Sequence, residues 1–270
     1  MTARTRPSAA ALLLGFALAG CATLPDNRGW GEDATIAPGW GAVRAAALDA
    51  VRTPRFWGPL AAAAVFQIDG WDRKVSNWAR THTPVFGSQA NAAEWSDRLR
   101  SASAYAYVAS VLATPSGSEP GPWMLDKFKG TTVGLAAIAV TDGESRMLKD
   151  VTARERPNGQ DEQSMPSSHA SRSAVLTQLT ERNLESIPMP LAIRRTLDIG
   201  LDALTYGTAW ARVESGFHFP SDTLVGISIG NFNGAFFNDA FLGVGTRGGG
   251  LTLNVVPQPG GAVLRICYGL

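Results

Sequence analysis

Small and apolar residues recur at helical spacing along most of this chain. Ala42–Val51 is Ala-rich in this way. Pro59–Ile68 follows, opened by a proline that suits the first turn of a helix. Ala92–Leu112 carries small and aromatic residues at the same period, and Pro122 opens a run through Val140 that resumes to Lys149. Ser167 to about Asn183 reads as a helix begun by a Pro-Ser-Ser cap, and Leu191–Ala211 as an amphipathic helix. Pro220–Phe237 is apolar and glycine-containing, which predicts a helix packed in the core. The period changes only near the C-terminus. There Gly248-Gly249-Gly250 breaks the chain, and Leu251–Val256 and Ala262–Tyr268 flank Pro257–Gly261 in the pattern of a β-hairpin. The pattern predicts an all-α helical bundle with a short C-terminal β-hairpin.

The N-terminus follows another logic. Arg4 and Arg6 precede an apolar run, Ala9–Leu18, that only Gly15 interrupts. This is the layout of a secretory signal, too short for a membrane span. Leu18-Ala19-Gly20-Cys21 resembles the lipobox of bacterial lipoproteins, in which the cysteine is lipidated and becomes the new N-terminus. Ala22 after the cysteine then implies sorting to an outer membrane on the periplasmic side. Residues 22–38 are polar, with Pro and Gly and no period, and read as a tether. Seventeen flexible residues would reach about 20–25 Å. The expected organisation is a signal peptide at 1–20, a lipidated tether at 21–38, a helical domain at 39–245 and a hairpin tail at 246–270. No later segment holds eighteen uninterrupted apolar residues, so no transmembrane helix is expected beyond the signal.

Composition narrows the function classes. The 270 residues are 45% hydrophobic and 17% charged, enough for a sizeable core. A net charge of +1 gives no global pull toward nucleic acid, so any anion preference must be local. Two cysteines, Cys21 and Cys267, are too few for a disulfide framework. No P-loop, dinucleotide fingerprint or zinc-ligand spacing is present, and neither a metal nor a cofactor is expected. There are three histidines, His82, His169 and His218, so a histidine mechanism has few candidates.

Three short segments carry candidate chemistry. In Lys149–Pro157, Lys149 and Arg156 lie seven apart, which a continuous helix would place on one face. In Pro166–Ser171, a Pro-Ser-Ser start presents backbone N–H groups suited to phosphate, with His169 in the first turn. In Ala211–Asp222, Asp222 follows His218 by four, so the carboxylate could hold one imidazole nitrogen and leave the other free to attack. Each alone also fits a solvated helix end or an ordinary cap.

Together, order and spacing resemble the type-2 phosphatidic acid phosphatase superfamily, whose pattern is K-x6-RP, PSGH, then SR-x5-H-x3-D. The match covers 149–222 and extends less specifically over 45–242. Ser168 stands where that family has Gly, and Ala211 where it has Ser. The resemblance implies a helical bundle of the phosphatase and haloperoxidase type and a metal-independent phosphatase. In it Lys149, Arg156, Ser167, Ser168 and Arg212 bind phosphate. His218 attacks phosphorus, Asp222 stabilises it, and His169 protonates the leaving oxygen and then activates water. The substrate would be a phosphomonoester or a lipid (pyro)phosphate, with membrane contact through Cys21. The alternatives are a vanadium-dependent haloperoxidase and an inactive phosphate-binding protein. Arg154 and Arg172 read as partners of nearby carboxylates such as Glu155 or Glu162, Glu214 as a structural partner, His82 as a loop or rim residue, and most tryptophans as core.

Overall fold

The computed structural model describes residues 22–243, 251–258 and 261–268. The signal-like segment 1–20, the lipidation candidate Cys21 and the expected domain boundary at 245/246 lie outside the described residues. Eight α-helices are found among them: α1 (Trp40–Arg52), α2 (Pro54–Phe66), α3 (Trp71–His82), α4 (Gln89–Ala113), α5 (Pro120–Thr152), α6 (Ser168–Ser186), α7 (Leu191–Glu214) and α8 (Pro220–Phe237). A π-helical turn, Asn238–Leu242, follows α8. Two antiparallel strands, Leu251–Gln258 and Gly261–Tyr268, pair with Leu251 opposite Tyr268.

Helix α6 is the axis of the bundle. From Ala170 to Glu181 nearly every residue is buried, including Ser171, Ser173, Thr177 and Thr180. It packs against α4, α5, α7 and α8. Buried hydroxyls need partners, and here they find them across helix pairs: Ser171 with Ser145 of α5 at 2.9 Å, Ser173 with Ser103 of α4 at 2.8 Å, Thr177 with Thr205 of α7 at 2.7 Å. Small side chains also permit close approach. On α8, Gly226, Gly230 and Gly234 repeat every four residues and face α6. A Cβ at Gly230 would lie 2.7 Å from both Ala174 Cβ and the Val175 backbone nitrogen.

The main apolar cluster joins Trp30, Tyr107, Val111, Ala137, Ile138, Val175, Leu176, Leu179 and Leu242. Trp30 belongs to the segment expected to be a tether. Residues 22–35 are instead strapped to the bundle. Leu24 and Trp30 are buried, Trp30 N–H donates to the Pro115 carbonyl at 2.6 Å, and Thr35 N–H donates to Phe241 at 2.9 Å. The polar composition concealed two apolar anchors. The tryptophans also depart from expectation: Trp40, Trp57, Trp71, Trp78 and Trp95 are exposed, while Trp30 is fully buried. No described helix is long and apolar enough to cross a membrane.

Candidate active site

The spacing between Arg212 and His218 is the geometry of a helix end. Gly216, with φ of 74°, closes α7: its N–H reaches the Val213 carbonyl at 3.0 Å, and Phe217 N–H reaches the Arg212 carbonyl at 3.2 Å. This paired closure normally needs a residue at positive φ, which glycine adopts without strain. His218 N–H also bonds the Arg212 carbonyl, at 3.3 Å, so five intervening residues fix these two side chains relative to each other. The next spacing is a helix start. Phe219 caps α8, Pro220 is its first residue, and the Asp222 carboxylate turns back to accept from Phe219 N–H at 2.8 Å.

Helix α6 begins beside it. Ser167 caps α6, its side chain accepting from Ala170 N–H at 3.5 Å, and its own N–H donates to the Asp222 carbonyl at 3.0 Å. One backbone hydrogen bond therefore joins the segment bearing Ser168 and His169 to the segment bearing His218.

Lys149 and Arg156 meet by a different route from the one expected. Helix α5 ends at Thr152, and Ala153 takes a left-handed φ of 40°. Arg156 thus lies in a loop rather than on the helix face, ahead of Pro157, which disfavours helix at the residue before it. The loop folds back through Arg156 N–H to Asp161 carbonyl and Ser164 N–H to Arg154 carbonyl, both 2.9 Å. Lys149 Nζ donates to the Gln163 carbonyl, and Arg156 Nε to Asp161 at 2.6 Å.

These groups share one electrostatic field. Lys149 is lowered to about 8 by burial and by the charge of Arg156, with Arg212 adding to it against Asp222 and Asp161. Arg212 is lowered to about 10 by burial, Arg156 and Arg100. Its guanidinium is buried, Nη1 has one long contact to Ser96 at 3.4 Å, and Nε is buried without a hydrogen-bond partner among the described residues. The Phe217 ring lies under it, 4.1 Å from ring centroid to guanidinium carbon. Three basic side chains thus converge on a buried histidine, and among the described residues only Arg156 is paired directly with a carboxylate.

His218 is 2% exposed, and burial together with Arg212, Lys149 and Arg156 holds its pKa well below the ordinary histidine value. It is neutral at pH 7. Its Nδ1 lies 2.6 Å from the Ser164 carbonyl. A carbonyl only accepts, so Nδ1 carries the proton and Nε2 keeps its lone pair. The expected direct bond from Asp222 is absent: the carboxylate stands 4.0 Å from Nδ1. Asp222 acts one step behind, accepting from Ser164 Oγ at 2.6 Å while the carbonyl of that same serine holds the ring. Its pKa is raised by burial, against the opposing pull of Arg154 and these hydrogen bonds.

His169 has a carboxylate that the sequence did not reveal. Its Nε2 lies 3.0 Å from Asp97 of α4, so Nε2 carries the proton and Nδ1 is the other face. Burial, Arg212 and Arg100 lower it to about 4, with Asp97 opposing. Asp97, Ser164, Asp72 and Arg154 complete the site, and none belongs to a recognisable spacing. Arg154 pairs with Asp222 and Asp72 rather than with Glu155 or Glu162. Arg172 reaches Asp142 at 3.5 Å. Glu214 is structural as expected, accepting from Val85 and Phe86 N–H and from Trp210. His82 ends α3, exposed and stacked on Trp78, away from the cluster described above. Among the described residues no three His, Cys, Asp or Glu side chains gather in a way that could hold a metal ion.

No protein-family model and no curated protein matches the chain. Among solved structures it is similar to the transmembrane PAP2-type phosphatidylglycerolphosphate phosphatase from Bacillus subtilis, at 17% identity and a TM-score of 0.40, over 68% of this chain and 92% of that one.

Proposed function

We propose that this protein is a phosphate-ester hydrolase of the type-2 phosphatidic acid phosphatase superfamily, acting through a phosphohistidine. The observation that carries the reading is the buried Arg212, its Nε unpartnered, beside Lys149, Arg156 and a neutral His218. Such a cationic cluster is costly to bury unless an anion completes it. A phosphoryl group would do so, with arginine offering paired donors and the first turn of α6 adding backbone N–H groups.

The chemistry follows from the tautomers. His218 Nε2 attacks phosphorus in line and the P–O ester bond breaks. Protonated His169 gives its Nδ1 proton to the departing oxygen, while Ser164 and Asp222 steady the imidazolium formed on His218. Neutral His169 then takes a proton from water, whose oxygen attacks phosphorus and releases His218. A depressed pKa suits His169 to this second step, and the bound dianion raises it for the first. Three fixed positive charges oppose the charge on the equatorial oxygens of the transition state.

The substrate we assign is a phosphomonoester or lipid (pyro)phosphate. We place the enzyme outside the cytoplasm, anchored through a lipid on Cys21. His218→Ala is the decisive test. It should abolish p-nitrophenyl phosphate turnover with the circular dichroism spectrum retained, and acid-labile, alkali-stable labelling of the wild-type protein by substrate phosphate should vanish with it. Substantial residual turnover in His218→Ala would overturn the mechanism.

A further inference from the structure

Beside His169 lies a cavity of about 200 Å³, lined by Arg100, Asp142, Arg146, Ser168, His169 and Arg172. We infer that it is a subsite for a second anionic group, phosphate or carboxylate, carried on the leaving-group side of the substrate. The inference deepens the phosphatase reading and rests on it for the direction of the leaving group.

Three arginines converge there from three different helices, α4, α5 and α6. That arrangement is not the solvated face of a single helix. The one lining carboxylate, Asp142, engages Arg172 at 3.5 Å, too far for a strong pair. Arg100 spends Nη2 on Asp97 at 3.1 Å, while its Nε is buried with no hydrogen-bond partner among the described residues. Arg146 is exposed and forms no ion pair among the described residues. The walls therefore hold donors in excess of acceptors.

Position gives the cavity its meaning. His169 protonates the departing oxygen, so whatever lies beyond His169 is the leaving group. An apolar leaving group would strip water from these guanidinium groups and return nothing. A phosphate or carboxylate would meet planar donors that bind it in pairs. It would also offset the charge of Arg100, one of the groups holding the His169 pKa down. The anion that the subsite recognises would thus help His169 keep the proton it must deliver.

Binding of stable phosphonates to the full-length protein, read by calorimetry, tests this without turnover. Methylphosphonate fills the phosphoryl site alone, methylenediphosphonate adds a second phosphonate, and phosphonoacetate adds a carboxylate. At least one of the two larger probes should bind about tenfold tighter than methylphosphonate, equivalent to ~1.4 kcal/mol, and the tighter one identifies the anion. The double substitution Arg146→Ala, Arg172→Ala should close that gap. The single Arg146→Ala, at an exposed position, should narrow it should the double variant fold poorly. Equal binding of all three probes to the wild type, or a gap that survives the substitutions, would overturn the subsite. Hydrolysis of p-nitrophenyl phosphate is read separately: its absence beside an intact binding gap would overturn the phosphatase reading and not the subsite.

Discussion

Arg154 and Asp222 form an ion pair of 2.5 Å, one residue removed from the imidazole of His218. The same guanidinium reaches Asp72 on α3 at 2.7 Å, and Asp72 in turn accepts from Ser221 N–H at 2.9 Å. Two buried carboxylates thus share one arginine. The chain of contacts runs from α3 through Arg154 and Asp222 to Ser164, whose carbonyl sets the tautomer of His218.

Arg154→Ala should leave Asp72 and Asp222 buried without their counter-ion. Removing one partner of a buried pair costs about 3 kcal/mol or more. Urea unfolding should show that loss in the midpoint with little change in slope. Turnover of the folded fraction should also fall, because Ser164 loses its fixed neighbour. A stability change under about 1 kcal/mol would show that solvent screens the pair as it does on open surfaces.

The glycines of α8 permit a second test. Gly230→Ala places a methyl group against Ser171, Ala174 and Val175, all on the central helix. The helices must separate, and overpacking of this kind costs about 1–3 kcal/mol or more. Separation would also disturb the Ser167–Asp222 backbone bond that joins the two histidine segments, so kcat should drop along with stability. Gly143→Ala, in α5 with nothing within 4 Å of the new methyl, should instead stabilise by about 0.5–1 kcal/mol. Equal effects of the two changes would remove the argument for close α6–α8 contact.

The sequence carried the helices whose buried face is apolar or capped. Ser167 as the cap of α6 and Pro220–Phe237 as α8 were both legible, and so were the motif residues that gather around His218. Helix α3 was not. Its buried residues are Asp72, Ser76 and Ala79, while Trp71 and Trp78 face outward, so its apolar pattern points away from the core. Asp72 was missed for the same reason. The roles of Ser164 and Asp97 were invisible because they depend on a loop and a distant helix. Ser164 acts partly through its carbonyl, which no side-chain pattern encodes. Conversely, the seven-residue spacing of Lys149 and Arg156 looked helical and is in fact bridged by a helix end at Ala153.

On the proposed phosphatase reading, Lys149 would set the alkaline limit of phosphate binding. With its pKa lowered to about 8, it is charged below that pH and neutral above it. The cationic cluster therefore loses one charge as pH rises through 8, and KM for p-nitrophenyl phosphate should rise there. A bound anion favours the charged lysine, so binding above pH 8 should take up a proton from buffer. Lys149→Arg keeps its charge throughout, and its KM should stay flat across that interval. A KM that rises equally in both proteins would assign the limb to another group.

A strapped N-terminal segment and a free tether differ in measurable ways. A free tether of residues 22–38 would tolerate substitution and would let an anchored domain move by about 20–25 Å. The structure instead buries Trp30 within the main apolar cluster and bonds the Ala22 carbonyl to Gly117 N–H at 2.7 Å. Trp30→Ala should then cost about 3–5 kcal/mol, the usual loss for a core tryptophan, where a tether residue would cost nothing measurable. The consequence for anchoring is geometric. A lipid on Cys21, the proposed site of attachment, is one residue from that bond, so it would hold the α4–α5 loop close to the membrane with little slack. The wild-type protein and a Cys21→Ser form exported by another signal should turn over a soluble phosphomonoester equally, since the site is untouched. On a lipid phosphate in vesicles the lipidated form should be faster, because anchoring raises the local concentration of enzyme at its substrate. Combining Trp30→Ala with lipidation should loosen the strap and erode that advantage beyond what the loss of stability explains. Equal vesicle activity for the lipidated and soluble forms would show that the strap serves the fold alone, and would favour a soluble substrate.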